Sequence, residues 1–244
     1  MNDKSNIINK KERKKKIAIL YSGGKDSNLT LYKASKLYDI ACLITLLPKN
    51  PYSYMYQASN VNITKYQAEA LELPLIAKET EGKKEEELKE LREALIEAKE
   101  KYGIEGVAAG TLYSNYQHER IKKIAKELDL FVYAPLWQIN AEEELKELIN
   151  NNFDVLIVRI ASWPLTKEHV GKKLKDIFDF LVKRKKYLNI AGEGGEFDTI
   201  VLDQPLFKKR LVVEEGETTE LGENEAEFII KKVRLEDKKE KEEQ

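Results

Sequence analysis

The chain has a single cysteine, Cys42, which excludes an internal disulfide and a CxxC zinc site. It has two histidines, His118 and His169, and neither stands in a metal-ligand spacing. No apolar run approaches the ~18 residues that a membrane span needs. Met1 to Lys16 lacks the apolar core of a secretory signal. These shortages predict a cytoplasmic protein with no membrane partner. Neither sign of charge is in excess: 42 Lys and Arg face 43 Asp and Glu, a net charge of −1. Such balance gives no general pull towards nucleic acid, and no direct nucleic-acid contact is expected. Charge itself is abundant, at 35% of residues against a usual ~25%. The excess is mostly Lys and Glu, with two Met, a bias of hyperthermophile proteins that predicts a thermophilic source.

At 244 residues the chain is long enough for one large domain or two modest ones. One stretch organises it: Tyr21-Ser22-Gly23-Gly24-Lys25-Asp26-Ser27. An apolar run, Ile17 to Leu20, precedes it and reads as a buried strand. Asn28 to Leu37 follows and reads as a helix with Leu31, Ala34 and Leu37 on one side. A strand, a glycine turn and a helix start aim unpaired backbone N–H groups and the helix dipole at one point, which suits an anion. Ser22 and Ser27 add hydroxyls and Lys25 adds a positive charge. Lys25 follows a glycine pair directly and Asp26 precedes the serine, so the pattern is not a Walker A loop.

Downstream, strand and helix patterns alternate at a spacing of roughly 25–30 residues. Strands are expected at Ile40–Leu47, Leu75–Ala77, Gly106–Gly110 and Phe131–Ala134, and helices at Ile63–Leu73, Lys84–Tyr102 and Tyr116–Leu128. That is the sign of a doubly wound, mostly parallel five-stranded α/β sheet of Rossmann-like type, with a nucleotide site at its carboxyl edge. Pro135-Leu136-Trp137 marks a break. The expected organisation is a flexible basic tail over 1–15, a nucleotide domain over 16–134, a smaller α+β lobe over 135–235 and a charged tail over 236–244. In that lobe, strands are expected at Phe153–Ile160, Gly192–Asp203, Leu211–Val213 and Phe228–Val233. Cys42 reads as a small core residue, His118 as a surface histidine and His169 as structural.

A second unusual stretch is Gly192-Glu193-Gly194-Gly195-Glu196-Phe197-Asp198-Thr199. Three glycines and three acids in eight residues make a poor helix or strand. It reads either as a solvated turn or as a loop in which Glu193, Glu196 and Asp198 take Mg²⁺ or a cationic ligand and Thr199 meets an oxyanion. In the second case it must face the phosphate loop across an open cleft.

Ser22 to Ser27 resembles the pyrophosphate loop (PP-loop) of the N-type ATP pyrophosphatases, in which the loop grips the β,γ-phosphates while a substrate attacks the α-phosphorus. Gly192 to Thr199, followed by Val201-Leu202-Asp203-Gln204-Pro205-Leu206-Phe207, resembles the signature of the diphthine–ammonia ligase (diphthamide synthase) family within that superfamily. Gly110-Thr111-Leu112-Tyr113-Ser114-Asn115-Tyr116-Gln117-His118-Glu119-Arg120 is similar to that family's middle block. Tyr54 to Asn60 is similar to another block but lacks its histidine. The resemblance runs from about Ile17 to Phe207. It implies an adenine nucleotide alpha hydrolase fold and an ATP-dependent ligase that amidates diphthine on translation elongation factor 2 with ammonium. It places ATP at Ser22, Gly23, Gly24, Lys25, Asp26, Ser27 and Gly110, with Asp26 either holding Mg²⁺ or orienting Lys25. It places catalysis at Lys25, Asp26 and Glu196, and acceptor contacts at Asn60, Tyr116, Arg120, Glu193, Gly194, Gly195, Glu196 and Thr199. Another ligase of the same loop class and a non-catalytic ATP-binding regulator remain as alternatives. Sulfur transfer is disfavoured, because it commonly uses paired cysteines. Homodimerisation is left open.

Overall fold

The protein is described by a computed structural model over residues 13–48, 63–80, 84–110 and 115–238. Its first half alternates β1 (Lys16–Leu20), α1 (Lys25–Leu37), β2 (Asp39–Pro48), α2 (Thr64–Leu71), β3 (Leu75–Thr80), α3 (Lys84–Tyr102), β4 (Gly106–Ala108), α4 (Asn115–Glu127) and β5 (Phe131–Tyr133). The five strands form one parallel sheet in the order β3-β2-β1-β4-β5. This is the doubly wound α/β arrangement that the spacing predicts.

The second half holds α5 (Ala141–Asn150), β6 (Asp154–Ala161), α6 (Leu174–Arg184), β7 (Phe197–Asp203), β8 (Lys209–Gly222) and β9 (Glu225–Asp237). Its four strands pair antiparallel in the order β7-β6-β9-β8.

Side-chain alternation along the central strands builds a core on each face of the parallel sheet. Ala18, Cys42, Ile44 and Leu46 face Leu91, Leu95 and Ala98 of α3 and Ile121, Ile124 and Ala125 of α4. Ile17, Ile19 and Leu43 face the other way, towards Leu29, Leu31 and Ala34 of α1 and Ala68 and Leu71 of α2. That second layer continues without a break into Leu145, Leu148, Val155, Ile157, Ile200 and Val201. The antiparallel sheet is therefore seated on the α1–α2 side of the parallel one.

Three expectations need correction. The helix expected to reach Leu73 ends at Leu71, because Glu72 turns left-handed at φ 56° and caps it. The strand expected from Gly192 begins only at Phe197; the glycine-rich part before it is turn. The strands expected at 211–213 and 228–233 belong to a hairpin with arms of 14 and 13 residues. From Glu214 to Glu220, β8 holds only Glu, Gly and Thr and so carries no apolar residue to read. It is lined instead by cross-strand ion pairs, Lys232 to Glu214 at 2.8 Å, Arg234 to Glu214 at 3.1 Å and Lys231 to Glu217.

Candidate active site

The strand order reverses between β1 and β4, and the glycine turn leaves the carboxyl end of β1 at that point. Open α/β sheets bind ligands in the crevice this creates. Gly23 has φ +84°, and a Cβ there would sit 2.4 Å from Gln67 Oε1, so both conformation and space require glycine. Gly24 caps α1. Of the first four N–H groups of α1, Lys25 N donates to Thr199 Oγ1 at 3.1 Å and Asn28 N to Gly24 O at 3.2 Å. Those of Asp26 and Ser27 meet no acceptor among the described residues. Ser22 Oγ and Ser27 Oγ lie 3.3 Å apart beside them. Gly110, just beyond β4, closes the other side: a Cβ on it would approach the Asp26 carbonyl to 2.9 Å and Ser27 N to 3.1 Å. Two free donors, two hydroxyls and a helix start thus share one crevice, an arrangement that fits a polyphosphate.

The antiparallel sheet holds this turn in place. Val201 N donates to Gly23 O at 3.0 Å. Buried Gln67 Nε2 donates both to Gly23 O at 2.9 Å and to Val201 O at 2.7 Å. Gln204 Nε2 and the Tyr21 hydroxyl each donate to Asn28 Oδ1 at 2.8 Å, and Asn28 Nδ2 donates back to Gly24 O at 2.9 Å. Here β7 touches the loop directly; the open cleft expected between them does not exist at this point.

The charges are arranged in depth. Lys25 turns inward, 2% exposed, and its Nζ donates to Asp26 Oδ1 at 2.5 Å and to Glu144 Oε1 at 2.8 Å. Glu144, from the first turn of α5, is fully buried, and its Oε2 meets no donor among the described residues. Burial works against the Lys25 ammonium, but the two carboxylates outweigh it and hold the group charged. Burial pushes the Glu144 carboxyl up; Lys25 opposes this and Asp26 adds to it. Asp26 keeps 21% exposure and is the member of the trio that looks outward. Asp198, one residue from Thr199, is pushed up to about 6 by burial; Arg159, 3.8 Å away, opposes the shift and Glu227 and Asp26 add to it.

Of the other expected contacts, Glu196 lies three residues from Thr199, with its carboxylate accepting from Gly194 N at 2.8 Å. Glu193 is half-buried, and Gly194 and Gly195 are exposed. Arg120 is half-buried on α4. Asn60 and the Tyr116 side chain lie outside the described residues. Thr199 is buried, and its oxygen fixes the Lys25 N–H. His118 is a correction: it is 7% exposed and stacks on Trp137 at 4.2 Å between ring centroids, because α4 turns it towards the Pro135–Trp137 segment. No group of three or more His, Cys, Asp or Glu side chains among the described residues is placed to hold a metal. Asp26, part-exposed at the edge of the crevice, is the carboxylate there that could meet a cation.

Residues 15–131 match the diphthamide synthase N-terminal domain and residues 140–235 match the diphthamide synthase C-terminal domain. The chain belongs to the diphthamide synthase family. Among its relatives, the diphthine–ammonia ligase of Rattus norvegicus is 36% identical over 83% of this chain and 84% of that protein. The human diphthine–ammonia ligase is 34% identical over the same shares. The one from Schizosaccharomyces pombe is 30% identical over 92% of this chain but only 40% of its own length. A solved structure, a predicted subunit of tRNA methyltransferase from Methanocaldococcus jannaschii, shares 16% identity over 78% of this chain and 98% of that chain, with a TM-score of 0.42; that likeness is too distant to bear on function.

Sequence reasoning misses Glu144, Asn28, Gln67 and Gln204. The only signal for Glu144 is its place beside Leu145 and Leu148 on the apolar side of α5; its partner lies 119 residues away.

Two stability outcomes follow from the charges. Lys25→Met leaves two carboxylates at a buried site without their cation and should cost about 3–5 kcal/mol. Lys25→Met with Glu144→Leu should recover most of that. Urea unfolding of the three proteins checks it; equal midpoints for the single and double variants would contradict the buried pair.

The Asp198 carboxyl rises from 3.8 to about 6 on folding. The folded state thus binds the proton more tightly, and this group's stabilising contribution is full below pH ~4 and lost as pH rises through ~6. Asn at 198 does not titrate. The melting temperature of Asp198→Asn minus that of the wild type should therefore increase between pH 4 and pH 7; a constant difference would place Asp198 in water.

Proposed function

We propose that the chain is an ATP-dependent ligase that converts the carboxylate of diphthine on translation elongation factor 2 to the amide, consuming ATP and ammonium and releasing AMP and pyrophosphate. The observation that carries this reading is the docking of the Gly192–Thr199 signature strand onto the Ser22–Ser27 phosphate loop, in a chain both of whose halves match diphthamide synthase domains.

The chemistry requires activation. A carboxylate does not yield an amide to ammonia at neutral pH, because oxide is a very poor leaving group. Attack of a carboxylate oxygen on the α-phosphorus breaks the α–β bond and expels pyrophosphate. Ammonia then forms the C–N bond and AMP leaves with that oxygen. The chain's part is to hold the departing pyrophosphate. The Asp26 and Ser27 N–H groups and the α1 dipole supply donors that need no reorganisation; the Ser22 and Ser27 hydroxyls, which donate to Ser27 Oγ and Gly24 O, add to them on rotating. The Lys25 ammonium is turned inward onto Asp26 and Glu144, so its part is to hold Asp26 at the edge of these donors rather than to meet the phosphates itself. Asp26 would hold Mg²⁺, which when bound neutralises charge on the phosphates. Glu196, beside the signature strand, is our candidate for contact with the trimethylammonium group of diphthine, with Glu193 as its neighbour; Arg120 and Gly110 close the α4 side.

Ammonium is the nitrogen source in this reading. Hydrolysis of glutamine needs a nucleophile, usually a cysteine. The one cysteine, Cys42, is fully buried, and burial, aided by Glu97, pushes its thiol up to about 12, so it supplies no thiolate.

The test is turnover with diphthine-bearing elongation factor 2. With ATP and ammonium, AMP and pyrophosphate should appear in step with the amide, read by mass spectrometry of the factor. Glutamine with ammonia scavenged should give none. ADP and phosphate as products, or AMP without amide, would overturn the reading.

A further inference from the structure

Trp163 is 59% exposed and Tyr187 is 68% exposed, yet their rings meet edge to face, 5.6 Å apart at 73°. Neither fills the core. Both are nonetheless held firmly. Trp163 is followed closely by Leu165, which is fully buried and whose N–H donates to Ser162 O at 3.0 Å. Tyr187 is followed by Leu188 and Ile190, both buried, and its own N–H donates to Arg184 O at 2.8 Å. Two aromatic side chains that brace each other on fixed backbone, with few rotatable bonds each, lose little freedom when covered, which is the property of interface anchors.

Their place matters as much as their exposure. Ala161, two residues before Trp163, donates its N–H to Glu196 O at 2.9 Å. Tyr187 lies five residues before Gly192, whose N–H donates to Asn189 O at 3.0 Å. The pair thus flanks the Gly192–Glu196 turn, and three residues on from that turn Thr199 holds the phosphate loop. At ~3.3 Å per extended residue the aromatic pair stands on the order of 15 Å from the loop, on the rim of the site.

On the Tyr187 side the charge is basic, facing the acids Glu193 and Glu196 of the turn. Lys183, Arg184, Lys185 and Lys186 immediately precede Tyr187. Lys185 is tied to Glu142 at 3.0 Å, and Arg184 lies over the Phe180 ring at 3.8 Å. Lys183 and Lys186 are exposed and have no ion-pair partner among the described residues. An aromatic centre with a cationic rim fits a surface that is apolar in the middle and acidic around it.

We propose that the Trp163–Tyr187 pair, with Lys183 and Lys186, is the docking surface for the folded acceptor protein. This rests on the reading above, in which the reacting carboxylate is on a side chain of a protein. A single side chain offers little contact, and a specific encounter between two proteins covers roughly 800 Å² on each partner. The ligase must therefore grip the acceptor outside the site, and this rim is where rigid anchors are available.

The experiment is steady-state kinetics with diphthine-bearing elongation factor 2 on the wild type, the Trp163→Ala/Tyr187→Ala variant and the Lys183→Glu/Lys186→Glu variant. Leu221→Ala, at an exposed position at the end of β8, is the control. The aromatic variant should raise KM for the factor about ten- to a hundredfold, with kcat at saturation and calorimetric affinity for a non-hydrolysable ATP analogue within about twofold. The charge variant should raise KM and flatten its salt dependence. Leu221→Ala should match the wild type. Melting curves show whether each variant folds; exposed positions make this the expected result. An unchanged KM in the aromatic variant overturns the docking surface while leaving the activity intact. Loss of RNA retention in gel shifts with KM unchanged overturns it in favour of a nucleic-acid face. A wild type that binds the analogue but gives no factor-dependent pyrophosphate overturns instead the reading on which it rests.

Discussion

The structure depends on the hydrogen bonds between β7 and the glycine turn. Val201 N and Gly23 O, Lys25 N and Thr199 Oγ1, and Gln67 Nε2 and Val201 O join residues more than a hundred positions apart, and the second Gln67 bond, to Gly23 O, ties α2 into the same unit. A glycine turn at the end of a strand is intrinsically free to move, and mobile donors do little for a developing charge. Here the turn is clamped from below by α2 and from the side by a strand of the other sheet. The free N–H groups of Asp26 and Ser27 are fixed as a consequence. The same contact places the acidic glycine turn, which ends where β7 begins, near the Ser22–Ser27 loop, so one set of bonds both stiffens that loop and joins the two sheets at it.

Electrostatics completes that unit. A lysine at the first position of a helix stands at the positive end of the dipole, and burial adds to the cost. Asp26 and Glu144 offset both. The outcome is a buried cation paired with two carboxylates, of which Asp26 is the one that faces outward. The arrangement presents backbone and hydroxyl donors to an anion, with one acid at the edge where a cation bound to that anion would sit.

Much of this was legible in the sequence, for identifiable reasons. The phosphate loop combines a strand pattern, a glycine pair and a helix pattern within twenty residues, so local rules suffice. Gly110 was legible through the resemblance, and its packing on Asp26 and Ser27 accounts for it physically. Glu144 was not, because Glu142, Glu143 and Glu144 read alike as the solvated start of a helix, and only the distant Lys25 separates the third from the others. His118 read as a surface residue, since its burial depends on Trp137. The reach of β8 was missed because Glu214 to Glu220 holds only Glu, Gly and Thr, and the ion pairs those acids make with β9 leave no period to read. The Trp163–Tyr187 contact joins two loops that no pattern links.

The central claim is that the loop holds pyrophosphate while the acceptor carboxylate takes AMP. Oxygen labelling tests it most directly. Elongation factor 2 carrying diphthine with an ¹⁸O-labelled carboxylate would be turned over with ATP and ammonium, and the nucleotide product weighed. The account predicts that label appears in AMP, because the carboxylate oxygen attacked the α-phosphorus and stayed with it. Label in inorganic phosphate, with ADP as the nucleotide product, would contradict it.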